Sequence, residues 1–432
     1  MDLQAEATDV LATLIRFDTV NPPGNERACQ EWLKRYLEDA GLECELLCAE
    51  DPERPNLVAR LRGEADGPAL GYLSHVDTVL ADPADWQYDP WSGEVHDGAL
   101  WGRGAVDMKS QTAAEAVAAA QLARRGWRPA RGELKVIAVV DEEAGGRLGA
   151  HWLTEERPES VRVDWLVNEG AGAVMPYGDR RLYGVCCAEK GTFRFHVRAR
   201  GRAGHASVPA LADNALLKLV PALERLGRGR AGYDVVDEPR AFLEAIGEDP
   251  ADPEGAVERM RVTEPRLAAL LEPALGATFA PTLISAGETI NVIPAHAEFA
   301  VDCRLPPGLE RHVAERRAHE LIGDTDGLEI EFTDEVVGNR SPIRSPLMDA
   351  IAAWVGEADP AGEAVPVVLP AFTDSRWFRA AFPDCVAYGF FPQRHQDLYA
   401  SWPLMHSADE RLDVRDIGFA TEFFAELPRR LL

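Results

Sequence analysis

The run Leu134–Val140 is apolar and ends on three acids, Asp141, Glu142 and Glu143. A short apolar run suits a strand buried on both faces, as in a parallel sheet covered by helices. Ala69–Leu73 and Val163–Val167 read the same way, each short and bounded by polar or turn-forming residues. Each of the three leads into side chains able to bind a metal or move a proton: His75 and Asp77, Glu142 and Glu143, and Glu169. Ligands of open α/β sheets collect outside the carboxyl ends of strands. Three separate strand ends are therefore expected to converge, bringing imidazole and carboxylate to one place.

Further strands are expected at Glu43–Cys48 and Asn56–Leu61. Helical spacing covers residues 3–16 and 26–40, split by the turn Asn21-Pro22-Pro23-Gly24, and the Ala-rich stretch Ala113–Arg124. Strands alternating with helices predict an α/β fold with a mainly parallel, helix-flanked sheet. The pattern changes near Ala188. Residues 191–201 alternate like a half-exposed strand, followed by a helix at Asn214–Leu226. An acidic, proline-bearing stretch from Val235 to Gly276 is assigned no element. Strands at Thr282–Ser285, Ala297–Cys303 and Leu328–Val337, with a helix near Leu309–Gly323, complete a compact α+β unit. The chain after Ser345 returns to α/β character. The expected organisation is one domain in two parts, 1–188 and 338–432, interrupted by an inserted α+β domain at 189–337.

The 432 residues are long enough for two domains. The net charge of −27 argues against nucleic acid or an anionic membrane as a partner. No apolar run approaches the roughly 20 residues of a membrane span. The acidic N-terminus does not read as a signal peptide. The seven cysteines are scattered without a C-x-x-C pair, which fits reduced thiols in a cytoplasmic protein.

Five residues have the chemistry of metal ligands: His75, Asp107, Glu143, Glu169 and His406. Two imidazoles and three carboxylates fill two similar shells of zinc-like ions if one carboxylate is shared. Glu142 stands beside a ligand without a metal of its own, where a general base is expected. Taken singly, these motifs are weak. H-x-D at His75 and Asp77 matches any surface histidine near an aspartate. Asp107 could cap a helix, adjacent glutamates could be a solvated turn, and a lone histidine is usually structural. Their conjunction, in order and at strand ends, is what defeats those readings.

The same residues carry a resemblance. From Arg16-Phe17-Asp18-Thr19-Val20-Asn21-Pro22-Pro23-Gly24, through Asp97-Gly98, Trp101-Gly102-Arg103-Gly104 and Asp107-Met108-Lys109, to Asp409-Glu410-Arg411, the chain resembles the co-catalytic dizinc aminoacylase/carboxypeptidase family. Its members include aminoacylase-1, acetylornithine deacetylase, succinyl-diaminopimelate desuccinylase, glutamate carboxypeptidase and carboxypeptidase S. The likeness implies that His75 and Glu169 bind one metal, that Glu143 and His406 bind the other, and that Asp107 bridges both. It implies a cis peptide bond after Asp107. Asp77 orients His75, and Glu142 moves a proton from the attacking water to the leaving amine. The inserted domain becomes a lid and dimerisation domain. Its His205, in A-G-H-A-S-V-P, donates to the oxyanion in the partner subunit's site. Asn291, Arg304 and Arg376 resemble substrate-binding residues, with the two arginines open to a structural ion-pair reading. Thr373, Asp374 and Gly389 are expected to shape the pocket.

The reading is a homodimeric hydrolase with two divalent ions, zinc first and cobalt or manganese as alternatives. It cleaves an amide bond next to a free carboxylate, as in an N-acyl amino acid or a short peptide. N-acyl-amino-acid deacylase is preferred to carboxypeptidase or dipeptidase. A carbamoyl-amide hydrolase is a further possibility within the superfamily. A non-catalytic relative on the same scaffold would show a lost ligand or base, and none is lost. Trp377, Phe378, Phe390, Phe391 and Trp402 are read as core packing or as an apolar acyl pocket.

Overall fold

A computed structural model of the chain describes residues 2–323 and 327–432. The chain divides into two compact units. One comprises the described residues up to Cys187 with Ser341–Val367 and Phe372–Leu432; the other comprises Ala188–Arg340 with Val368–Ala371.

The first unit is built around four parallel strands in the order Glu133–Val139, Ala69–His75, Trp165–Asn168 and Val386–Gly389. Antiparallel strands extend the sheet on both sides: Asn56–Arg62 and Glu43–Leu47 at one edge, Arg180–Glu189 at the other. The apolar runs follow from burial on both faces. Leu134, Val136 and Ala138 join Leu70 and Tyr72 in one apolar layer, against the helices Leu3–Ile15, Lys109–Arg124 and Val414–Leu431. Ile137 and Val139 join Leu73 and Leu166 in the other, against Ala150–Glu156 and Ser375–Ala381. Successive side chains of each strand thus enter opposite layers, and both layers are apolar. Lys135, the one charge within the run, is buried and gives its ammonium to the carbonyls of Ser160 and Arg162, each at 3.0 Å. The helix Lys109–Arg124 is buried from Lys109 through Ala123. Its many alanines let surrounding elements approach closely.

The second unit has a four-stranded antiparallel sheet in the order Thr278–Ala286, His296–Leu305, Gly191–Arg200 and Leu328–Val336. Helices Ala215–Arg228 and Arg311–Ile322 contribute to the apolar layer around Phe193, Phe195, Val197, Phe299 and Val301. Along Gly191–Arg200, the alternate residues Arg194 and Arg198 instead form cross-strand ion pairs with Asp302, Glu298 and Glu331.

Several details differ from the sequence reading, among them the bounds of the strands Thr278–Ala286 and Trp165–Asn168. The first strand that leads into the site runs two residues further and ends on His75 itself. The stretch Val235–Gly276 is largely helical, with Asp237–Ala245, Pro253–Thr263 and Pro265–Leu271. Pro253 and Pro265 open their helices, where no backbone N–H is needed. Asp252 caps the first of these two, accepting from Gly255 N at 3.0 Å.

Candidate metal centre

His75 closes its strand, Glu142 and Glu143 form the short turn Glu142–Ala144 after Glu133–Val139, and Glu169 follows Trp165–Asn168 directly. These are carboxyl ends of neighbouring parallel strands. Asp107 precedes the helix Lys109–Arg124, and its bond to Met108 is cis, as the resemblance implied. His406 occupies the turn after Trp402–Leu404, with φ of 56°.

The ligand atoms of His75, Asp107 and Glu169 lie within 4.8 Å of one another, and so do those of Asp107, Glu143 and His406. Asp107 is common to both groups. Its Oδ1 is 3.2 Å from His75 Nε2, and its Oδ2 is 3.1 Å from His406 Nε2. His75 Nε2 is 3.7 Å from Glu169 Oε1, and His406 Nε2 is 3.2 Å from Glu143 Oε2.

The electrostatics of this cluster are those of crowded anions. Burial, and then the Glu169 charge, push the Glu142 carboxyl well above its ordinary range. Burial, and then Asp107, do the same to Glu169. Burial acts to lower His75, but hydrogen bonds to Asp107 and Asp77 raise it well above its usual value. Hydrogen bonds to Asp107 and Glu143 raise His406 to about 10. Glu143 Oε1 is buried without a hydrogen-bond partner. Nitrogen and oxygen donors facing one another with surplus negative charge fit two divalent cations.

Asp77 has two roles, of which H-x-D revealed one. Its carbonyl oxygen is 3.0 Å, and its Oδ1 3.5 Å, from His75 Nδ1. A proton held on that side leaves Nε2 to face the cluster. The carboxylate also accepts the backbone N–H groups of Glu142 and Glu143, both at 3.2 Å. One aspartate thus fixes a candidate ligand and the turn bearing the candidate base.

Glu410 performs a similar task and was not singled out as a site residue. It is fully buried. Its Oε1 accepts from Val106 N at 2.6 Å and Asp107 N at 3.0 Å. Its Oε2 accepts from Gly104 N at 3.1 Å and Arg103 Nη1 at 2.7 Å. The segment that carries His406 is thereby clasped to the loop that carries Asp107. The nearest sequence signals were the lone arginine between Gly102 and Gly104 and the acid in Asp409-Glu410-Arg411.

Arg376 adjoins the base turn. Its Nη2 donates to the Gly145 carbonyl at 3.0 Å, and its guanidinium stands 4.4 Å from the Trp377 ring centroid. Gly389 backs a ligand: a Cβ there would lie 2.0 Å from the Glu169 carbonyl oxygen, so only glycine permits this approach. Thr373 Oγ1 accepts from Asn168 Nδ2 at 3.2 Å, beside Glu169. Phe378, Phe390 and Phe391 are buried in the core, while Trp377 is half-buried and Trp402 is exposed.

The second unit holds the other three candidates. His205 and Asn291 are neighbours there: Gly204–His205 pairs with Val292–Ile293, and Ala206 N donates to the Asn291 carbonyl at 3.0 Å. Ser207 N donates to His205 Nδ1 at 3.2 Å. That bond makes Nδ1 an acceptor and puts the proton of the neutral ring on Nε2. Arg304 forms a fork with Asp302 on its own strand, at 2.7 and 3.3 Å.

Among the described residues, no helix is long and apolar enough to cross a membrane. The chain is 27% identical over 421 residues to a succinyl-diaminopimelate desuccinylase of Cereibacter sphaeroides, covering 94% of this chain and 93% of that one. The fold is similar to that of the M20 family metallo-carboxypeptidase Sso-CP2 from Sulfolobus solfataricus. The TM-score is 0.72 at 17% identity, over 99% of this chain and 100% of that one. It is also similar to the Bacillus subtilis YXEP protein, a dinuclear metal binding peptidase from the M20 family. There the TM-score is 0.59 at 14% identity, over 99% and 97%. The sequence model of peptidase family M20/M25/M40 matches residues 71–430, a span that contains every residue of the clustered site, and the chain belongs to that family.

Proposed function

We propose that this hydrolase is a dinuclear amidohydrolase cleaving an amide bond next to a free carboxylate, and that it acts as an N-acyl-amino-acid deacylase. The observation that carries the reading is Asp107 shared by two ligand groups, with Glu142 on the same turn as one of them but in neither. His75 and Glu169 would hold one ion, Glu143 and His406 the other, and Asp107 both. Zinc suits this nitrogen and oxygen set, and cobalt or manganese can stand in for it. Bound divalent ions polarise the amide carbonyl and acidify water.

Glu142 takes a proton from the attacking water and returns it to the leaving nitrogen. Asp77 keeps the His75 ring oriented and the Glu142 backbone fixed. Arg304 recognises the substrate carboxylate, for which it must exchange Asp302, and Arg376 is a second substrate-side arginine. His205 supplies Nε2–H to the developing oxyanion, and Asn291, just before the paired Val292–Ile293, is tied to it through Ala206 N.

The second unit is read as the lid and as the surface of a homodimer. Thr278–Ala286 is an edge strand on which Leu283 and Ile284 are exposed, and the helix Ala215–Arg228 exposes Leu217 and Val220. An unpaired edge beside exposed apolar residues favours pairing with a second chain. The name of the Cereibacter relative describes removal of an acyl group, which supports deacylase over peptidase.

The test is release of free amino acid from N-acetyl, N-succinyl and longer N-acyl amino acids against a set of dipeptides. Stripped protein is reconstituted in turn with zinc, cobalt and manganese. Faster turnover of the N-acyl compounds is expected. Preference for dipeptides overturns the deacylase assignment in favour of a dipeptidase or carboxypeptidase. Absence of metal-dependent release from either class overturns the hydrolase site itself.

A further inference from the structure

The turn Asn21-Pro22-Pro23-Gly24 lies outside the ligand set, yet it is packed behind it. Asn21 is 7% exposed. Its backbone is laced to the segment after His75: Asn21 N donates to Thr78 O at 2.9 Å, and Thr78 N to Thr19 O at 3.0 Å. Its side-chain nitrogen has two protons and two acceptors. Nδ2 is 2.9 Å from Asp77 Oδ2 and 3.2 Å from Asp141 Oδ1.

Both acceptors control the base turn. Asp77 receives the N–H groups of Glu142 and Glu143. Asp141 immediately precedes Glu142, with φ of 71°, and its carbonyl takes the N–H groups of Ala144 and Gly146 at 3.3 and 2.6 Å. Two buried carboxylates this close repel unless donors stand between them. Asn21 is one such donor. Arg54 is another: its Nη1 reaches Asp141 at 3.1 Å, while its Nε and Nη2 fork onto Glu26 at 3.0 and 2.7 Å. The glycine of the turn makes room for that guanidinium. Gly24 has φ of 82°, and a Cβ on it would meet Arg54 Nε at 2.3 Å.

We infer that Asn21 is a positioning residue for the general base, its amide tying Asp77 to Asp141 so that Glu142 and Glu143 are held in register with His75. This rests on the reading of Glu142 as base and Glu143 as ligand. A donor role and a packing role make opposite predictions for Asn21→Asp. The substitution keeps shape and volume but sets a third carboxylate against two.

The experiment compares wild type, Asn21→Asp, Asn21→Ala and Glu142→Gln. Each is stripped of metal and titrated with Co²⁺, followed by visible absorption, then assayed on the best wild-type substrate. Asn21→Ala is expected to lose about 10–100-fold in kcat and in Co²⁺ affinity, as for other residues that orient ligands from behind. KM should stay within about twofold, because uniform substrate binding is untouched. Asn21→Asp should lose more than Asn21→Ala. If Asn21→Asp keeps wild-type kcat and Co²⁺ affinity, the inference is wrong. It is equally wrong if both variants only melt earlier, with turnover and metal binding unchanged. Should Asn21→Asp fail to fold, Asn21→Ala decides on the same two readouts. Failure of the underlying reading shows elsewhere: wild type would take up one Co²⁺ per chain, or Glu142→Gln would remain active.

Discussion

Replacing Glu410 by glutamine removes one charge and almost no volume, so its effect isolates the clasp between the two ligand loops. The carboxylate accepts four bonds, two on each oxygen. In the amide, one of those oxygens becomes a donor. If it is Oε2, Arg103 and Gly104 lose their acceptor; if it is Oε1, Val106 and Asp107 do. Two bonds to a charged acceptor at about 1.5–3 kcal/mol each give a loss of about 3–6 kcal/mol. Breaking a buried ion pair from one side costs a similar amount, about 3–5 kcal/mol. The two figures describe overlapping losses and do not add. Arg103 keeps its bond to the Leu80 carbonyl at 3.3 Å and its place over Trp86, which sets the lower end as the better estimate. A destabilisation of about 3 kcal/mol corresponds to a midpoint lower by roughly 5 °C for a unit of this size. Scanning calorimetry of the metal-free protein measures this directly. Because Asp107 N is among the donors, Co²⁺ affinity should fall as well. A midpoint within about 2 °C of wild type, with Co²⁺ binding unchanged, would refute the argument, since neither orientation of the amide preserves all four bonds.

Glu142→Gln should lose about 10²–10⁴ in rate while still binding two metal ions, measured by turnover and elemental analysis; loss of a metal would make Glu142 a ligand instead. Glu115 is fully buried on the helix Lys109–Arg124, and burial raises its carboxyl from 4.5 to about 8. The folded state then keeps a proton that the unfolded chain has released. Stability is greatest below the unfolded value and falls as pH rises toward the folded one, by about 2 kcal/mol between pH 6 and 8. Urea unfolding across that window should show the slope in wild type and not in Glu115→Gln; parallel curves would exclude it. On the proposed homodimer with His205 acting in the partner's site, mixing inactive His205→Ala with inactive Glu142→Gln subunits should restore activity, because one site of the mixed dimer would combine an intact base with an intact histidine. Mixtures that stay dead after co-refolding would place His205 in its own chain's site or outside catalysis.

What the sequence made legible was local. His75, Glu143 and Glu169 each follow an apolar run, and the run is recognisable without knowing its neighbours. The spacing of Asn214–Leu226 and the alternation of residues 191–201 likewise report their own burial. What stayed hidden was held by contacts remote in the chain. Asn21 meets Asp141 across 120 positions, and Glu410 meets Asp107 across 303. A buried Arg54 in Glu53-Arg54-Pro55 reads like any exposed turn, and no periodicity marks the carboxylate it neutralises. The helices after Val236 were missed for a different reason. Val235–Gly276 is assigned no element as an acidic, proline-bearing stretch, whereas at a first helical position, as at Pro253 and Pro265, proline fits without loss.

The hidden residues share a physical logic. A site for two cations must gather carboxylates, and each carboxylate must find donors. Lysine or arginine supplied directly to the cluster would compete with the metal ions for the same charge. Here the supports of the cluster accept backbone N–H groups instead. Glu410 takes those of Val106 and Asp107, and Asp77 takes those of Glu142 and Glu143. In both cases a buried carboxylate from a distant segment grips two successive amides of the loop that bears a candidate ligand or the candidate base. Guanidinium groups stand outside the cluster, Arg103 on Glu410 and Arg54 on Asp141, the acid that Asn21 ties to Asp77. The loops are fixed without placing a fixed positive charge among the ligands. For the same reason the outer carboxylates should be less tolerant of amide substitution than exposed acids of the same chain: each accepts two successive backbone N–H groups of the loop it holds.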